Sequence, residues 1–228
     1  MVPVDLTVVI PTMNEADSIG RVIDDIRRHL GGRECEILVV DTNSTDGTVE
    51  IAKERGARVV EEPRRGYGRA YKTGFSEARG RFVATLDADC TYPADIIPEF
   101  LEILERDEAD FIIGDRLSIL SAEAMTLMHR VGNAILNITA RILFRVRLKD
   151  SQSGMWVFKR DLLDSLTMVS NGMPFSEEIK IEAMTKGFRV KQIPIDYKPR
   201  TGQKKLQSWQ DGWGNFKFLL SKRLGRAS

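Results

Sequence analysis

Two aspartates one residue apart, Asp87 and Asp89, follow the apolar run Phe82-Val83-Ala84-Thr85-Leu86. A strand sends alternate side chains to opposite faces, so a strand here would bring both carboxylates to one side at its C-terminal end. Two hard anionic groups so placed suit Mg2+ or Mn2+, which take few carboxylates and complete their shell with phosphate oxygens. Open α/β sheets bind ligands at this same edge. An isolated Asp-x-Asp is more often a solvated turn, so its meaning depends on what surrounds it.

Other apolar runs also end in polar groups. Leu6-Thr7-Val8-Val9-Ile10 runs into Pro11-Thr12-Met13-Asn14-Glu15, whose amide and carboxylate suit ribose hydroxyls or a base. Glu36-Ile37-Leu38-Val39-Val40 ends at Asp41, where a sheet-edge carboxylate would meet a ribose or base, followed by the helix-capping run Ser44-Thr45-Asp46-Gly47-Thr48. A third run leads to Gly66-Tyr67-Gly68, where absent side chains would let backbone approach a phosphate.

The elements that must position these groups alternate. Strands are predicted at 6–10, 36–40, 57–60, 81–86 and 110–114. Helical spacing separates them: Ile19, Val22, Ile23, Ile26 and Leu30 before Gly31-Gly32, a capped segment from Thr48 to about Arg55, a segment ending near Gly80, and Ile96 to Leu104. This βαβ alternation predicts a mostly parallel sheet flanked by helices, of the Rossmann-like kind. Beyond it come a long apolar helix over 131–147, a strand at 155–158, a helix at about 176–186 and a strand at 189–197. The tail over 207–224 sets Trp209, Trp213, Phe216, Leu220 and Leu224 on one helical face. The expected division is a catalytic domain at 1–206 and an amphipathic basic tail at 207–228.

The chain has 228 residues, enough for one domain with a full core. Cys35 and Cys90 are too few and too far apart for a disulfide framework or zinc site, and a reducing, cytoplasmic compartment is expected. No signal-peptide pattern opens the chain, and no run approaches the roughly 18 apolar residues of a spanning helix. The net charge of +1 hides an asymmetry: residues 116–149 carry +5 and 198–226 carry +7, leaving −11 elsewhere. Two basic segments in an acidic protein suggest an anionic partner, such as a membrane surface. A nucleic-acid-binding module is the non-enzymatic alternative. No nucleic-acid motif is present, and the acidic remainder argues against it.

Taken in order, PxxNE, DxxSTDGT, GxGxA and DAD resemble the family-2 glycosyltransferases. That resemblance covers about residues 5–200 and implies a GT-A fold. It also implies a nucleotide diphosphate sugar bound near Pro11, Asn14, Glu15, Asp41, Gly68, Asp87, Ala88 and Asp89, with the diphosphate bridged by metal to Asp87 and Asp89. Four later segments are similar to those of dolichyl-phosphate mannose synthases and other polyprenyl-phosphate glycosyltransferases: Gly114-Asp115-Arg116, His129 to Asn133, Lys149 to Gly154 and Arg200 to Leu206. The chain departs from that pattern at Thr42, where a second Asp is usual, and at Lys204, where a serine is usual. Thr91 stands where many relatives keep a glutamine or serine as a further metal contact. By the same resemblance, Asp89, Arg116 and Asp150 are the expected catalytic group, Asp150 shaping the sugar and acceptor pocket. Some relatives recruit small membrane proteins, and this chain is similar to those or to a peripheral enzyme.

A polyprenyl phosphate acceptor fits the charge pattern. Its second pKa lies near 6, so it is largely a dianion at neutral pH and needs no general base. It needs cations to hold it in line, and Arg116, Arg130, Arg200 and Lys205 are the candidates. The expected reaction is metal-dependent inverting transfer of a hexose, first mannose from GDP-mannose, with UDP-glucose or UDP-N-acetylglucosamine next. Two rivals remain. A transferase to a sugar or protein hydroxyl would need Glu177 or Glu178 as base. A sugar-1-phosphate nucleotidyltransferase would need an early glycine-rich loop with Arg and Lys, and Pro11 to Glu15 stands there instead.

Overall fold

The computed structural model describes residues 4–119, 127–201 and 208–225. Among these residues, seven strands form one sheet: β1 (Leu6–Thr12), β2 (Cys35–Asp41), β3 (Arg58–Glu61), β4 (Phe82–Thr85), β5 (Phe111–Asp115), β6 (Trp156–Lys159) and β7 (Val190–Pro194). Their order is β3-β2-β1-β4-β6-β5-β7, and only β6 runs antiparallel to its neighbours. Seven α-helices flank it: α1 (Ala16–Leu30), α2 (Thr48–Glu54), α3 (Tyr67–Glu77), α4 (Ile97–Glu105), α5 (Leu127–Phe144), α6 (Phe175–Thr185) and α7 (Ser208–Arg223).

The sheet is buried on both faces, which is why its strands read as continuous apolar runs rather than alternating ones. One face packs against α1, where Ile19, Ile23 and Ile26 are buried, and against α4, through Ile97, Phe100 and Leu101. The opposite face packs Tyr71 and Phe75 of α3 and Phe175 and Ile179 of α6 against Trp156 and Phe158. Phe111 and Phe158 face each other in the β5–β6 register and stack with centroids 5.1 Å apart. Such an aromatic pair adds about 0.5–1.5 kcal/mol beyond area burial.

Two sequence expectations change. Strand β4 stops at Thr85, so Asp87 and Asp89 lie in the turn beyond it, and strand pleating is not what brings them together. The strand ends there because the Thr85 side chain closes the pairing: its hydroxyl donates to the Gly154 carbonyl at 2.7 Å and accepts from Trp156 N–H at 2.9 Å. Strand β7 is shorter than predicted, since past Pro194 the chain leaves β5 and its Lys198 and Thr201 amides donate to the carbonyls of Thr91 and Asp89. The site turn is therefore covered by the segment after β7.

At the opposite end of the sheet, Asp110 accepts from the backbone N–H and guanidinium of Arg189 and from Lys159, and Asp107 shares both cations. The Arg189 hydrogen bonds hold both carboxyls below the usual range, Asp107 at about 2. A lowered folded-state pKa contributes stability above the unfolded value near 4, and that stability is lost as pH falls toward 2. Asp110→Asn is expected to cost about 1–2 kcal/mol at pH 7, a low figure because Arg189 is half exposed. It should also flatten the pH dependence between 4 and 2. Urea unfolding across that range checks both.

Candidate active site

The ends of β1, β2 and β4 open on one edge, and the 150–154 loop leading into β6 closes it. Asp89 is nearly fully buried and takes the Thr91 N–H and hydroxyl on Oδ1, at 3.1 and 2.6 Å. The Thr91 hydroxyl is thus committed to Asp89 and orients it. Asp87 makes no hydrogen bond among the described residues. Gly154 stands against it: a Cβ there would sit 3.2 and 3.3 Å from the Asp87 oxygens and 2.8 Å from the Tyr67 hydroxyl. Burial, with the Asp89 carboxylate beside it, pushes Asp87 up to about 7 against the pull of Arg116 and Arg200. A free carboxylate crowded by a second one suits a divalent cation, whose charge relieves both. The two oxygen donors fit Mg2+ or Mn2+ with further positions left for a diphosphate. The described residues bring no third carboxylate, histidine or cysteine to them.

Two arginines approach the carboxylates. Arg200 reaches Glu15 Oε1 and Asp89 Oδ2, both at 3.4 Å, spanning the ends of β1 and β4. Arg116, just past β5, forks onto Asp150 at 2.8 Å from both Nε and Nη2, and its own N–H donates to Asp150 Oδ2 at 3.0 Å. Asp150 is fully buried. Against the burial that would raise it, the Arg116 guanidinium holds its carboxyl below the usual range. Arg116 is therefore a fixed guanidinium over the Tyr197 ring, and Asp150 is its positioning partner.

The remaining predicted residues fall in three places. Asp41 is buried and held by the Thr12 hydroxyl at 2.7 Å and by the Ser44 hydroxyl and N–H at 2.5 and 2.9 Å. Asn14, at φ 55°, accepts from Thr45 N–H, and Pro11 lies on β1 beside Val40 of β2. At Gly68 the room for a Cβ is filled by Phe175 Cβ at 2.5 Å and the Ser170 carbonyl at 2.7 Å, so that glycine serves the approach of α3 to α6. Ala88 is buried in the turn between the aspartates. Arg130 is exposed on α5. Lys204 and Lys205 lie outside the described residues.

Several site residues carried no motif signal. Lys180, fully buried on α6, donates to the carbonyls of Ser151 and Ser153 at 2.6 and 2.7 Å and to Ser176 Oγ at 3.1 Å. Tyr92 accepts Gly154 N–H at 2.6 Å. Only their spacing to partners 27 to 62 residues away gives them a role, and no local pattern records it. Glu178 accepts from Val169 and Ser170 N–H and from Lys222. Glu177 is fully enclosed, and burial pushes its carboxyl well above the usual range.

The mostly parallel seven-stranded sheet with helices on both faces is of the GT-A type. Residues 7–167 match the model for glycosyl transferase family 2, and the chain belongs to that family. It is 38% identical over 219 residues to the low-salt glycan biosynthesis hexosyltransferase Agl6 of Haloferax volcanii, covering 94% of this chain and 53% of that protein. It is 36% identical to the dolichyl-phosphate hexose transferase of the same organism, covering 91% of this chain and 89% of that one. The chain thus spans about half of Agl6 and nearly the whole of the second relative. Among solved structures, glucosyl-3-phosphoglycerate synthase of Mycobacterium tuberculosis in complex with Mn2+, uridine diphosphate and phosphoglyceric acid shares the fold. The TM-score is 0.75 at 22% identity, over 98% of this chain and 78% of that one.

Asp87→Asn removes one of the crowded charges. It is expected to raise the melting temperature of the ligand-free protein at pH 8 by a few degrees and to abolish the further rise that Mn2+ with a nucleoside diphosphate gives the wild type. A thermal-shift titration reads both. An unchanged Mn2+-dependent rise would remove Asp87 from the metal site.

Proposed function

We propose that the protein transfers a hexose, with inversion, from a nucleotide diphosphate sugar to a polyprenyl phosphate. The observation that carries this reading is a site edge with two guanidiniums where, among the described residues, neither Glu177 nor Glu178 is free to act as base. Glu177 is enclosed, and Glu178 is spent on backbone amides and Lys222. A hydroxyl acceptor needs a base there; a phosphate dianion needs only positioned cations. The dolichyl-phosphate hexose transferase similarity supports the same acceptor class.

Pro11, Asn14, Glu15 and Asp41 would bind the nucleoside, and Asp87 and Asp89 would hold Mg2+ or Mn2+ against the diphosphate. Such an ion supplies Lewis acidity to the leaving group. Arg116, fixed by Asp150, and Arg200 would present the acceptor phosphate to the anomeric carbon. The phosphate oxygen forms its bond there from the face opposite the departing nucleoside diphosphate, so an α-linked donor yields a β-linked lipid product. Mannose from GDP-mannose is the first donor proposed, with UDP-glucose and UDP-N-acetylglucosamine next. Label transferred from these donors into organic-extractable dolichyl phosphate, with Mn2+ and lost in EDTA, is the expected result. Donor binding without lipid label would move the acceptor to a hydroxyl.

The acceptor also implies a surface. Met128, Val131, Ile135, Ile138 and Ile142 recur every three or four residues along α5 and are about half exposed or more, as are Trp213 on α7 and Leu224 just past its end. Arg130, Arg141, Arg145, Lys217 and Arg223 are exposed on the same two helices and the turn after α5. No helix among the described residues is long and apolar enough to cross a membrane. An apolar stripe rimmed by cations suits the interface of an anionic bilayer, peripheral to the membrane. Ile135→Asp with Ile142→Asp should cut co-sedimentation with phosphatidylserine-containing vesicles at least tenfold and leave Mn2+–nucleotide binding unchanged.

A further inference from the structure

Helix α7 reaches the edge of the site. Asn215, almost fully buried, donates to Gln152 Oε1 at 2.8 Å. Gln152 in turn donates to Glu177 Oε2 at 3.0 Å and Ser151 Oγ at 3.2 Å. It occupies the middle of the 150–154 loop, whose first residue holds Arg116 and whose last stands against Asp87. Lys180 grips the same loop through its carbonyls, which leaves the Gln152 side chain as the contact that α7 controls.

The helix has other means of docking: Leu219 is fully buried, and Lys222 bonds Glu178 at 3.1 Å and Glu182 at 2.8 Å. Asn215 is a poor choice for packing alone. Its Oδ1 is buried without a hydrogen-bond partner among the described residues, as is the Oε1 of Glu177 at the far end of the chain of contacts. Orphaned buried acceptors are unfavourable, and an apolar side chain would pack the helix without one.

We propose that Asn215 is a positioning residue: acting through Gln152, it fixes the 150–154 loop and with it the Arg116 guanidinium and the wall beside Asp87. Helix α7 then belongs to the reaction centre. The helix that exposes Trp213 is also one that sets the geometry of the acceptor cation. The kinetic consequence rests on the transferase reading above; the structural coupling does not.

The test joins kinetics to hydrogen exchange. Asn215→Ala should lower kcat about tenfold, as a small misplacement of a positioning group does, with donor KM and Mn2+–nucleotide affinity within twofold of wild type. Gln152→Ala should lose at least as much, and the double variant no more than Gln152→Ala alone, because the first residue acts through the second. Amide exchange over residues 150–156 in Asn215→Ala should quicken about tenfold while β1 to β4 stay protected. That readout needs neither donor nor acceptor, so it decides the coupling even if wild type transfers no hexose to a lipid phosphate, a result that would sink the acceptor assignment alone. Unchanged exchange over 150–156, or additive kinetic losses in the double variant, would overturn the proposal. So would a kcat loss matched by equal losses of nucleotide affinity and thermal stability. Asn215→Ser provides the same comparison should Asn215→Ala not fold.

Discussion

The site depends on the buried pair of Arg116 and Asp150. Each charge buried alone would cost several kcal/mol, and breaking such a pair typically costs about 3–5 kcal/mol. Together they join two pieces of chain 34 residues apart, the end of β5 and the loop that enters β6. That loop is held through its carbonyls by Lys180, through the Gly154 amide by Tyr92 and through the Gly154 carbonyl by Thr85, while the Gln152 side chain is left to Asn215. One charge pair and its hydrogen-bonded surroundings thus fix a guanidinium and a glycine wall at the edge where Asp87 and Asp89 emerge.

The antiparallel strand makes this arrangement available. With parallel strands alone, β4 and β5 would adjoin and their C-terminal ends would carry only their own loops. Inserting β6 between them with reversed polarity brings the chain that precedes it to the functional edge. The DAD turn then has a neighbour with no side chain at the closest point. A methyl group at Gly154 would crowd the Asp87 carboxylate and the Tyr67 hydroxyl. The same edge balances its own charge, with Arg200 spanning Glu15 and Asp89 at distances long enough to be exchanged for stronger partners.

Charge and apolar surface divide along the chain much as the chemistry does. The acidic remainder builds the parallel half of the sheet and the edge that carries Asp87 and Asp89. The basic segments build α5, α7 and the covering strand end, where exposed isoleucines and a tryptophan sit among arginines and lysines. Under the proposed function, a water-soluble donor and a lipid-borne acceptor would place opposite demands on a surface, and these two kinds of surface lie on different elements of the fold.

The sequence by itself determined the strands and helices of the parallel half, because fully buried strands need unbroken apolar runs and α1 needs Ile19, Val22, Ile23 and Ile26 on one face. It also determined the family, through four short motifs in a particular order along the chain. Tertiary structure decided what those motif residues do. Asp87 and Asp89 meet in a turn rather than on a strand, Thr91 serves Asp89, Gly68 serves the packing of α3 on α6, and Arg116 is fixed rather than free. Lys180, Tyr92 and Asn215 carried no local signal at all. Apart from Ser176, one turn before Lys180, the partners named for them lie 27 to 63 residues away, and a hydrogen bond across that separation leaves no periodicity in the chain, only a distance in the fold.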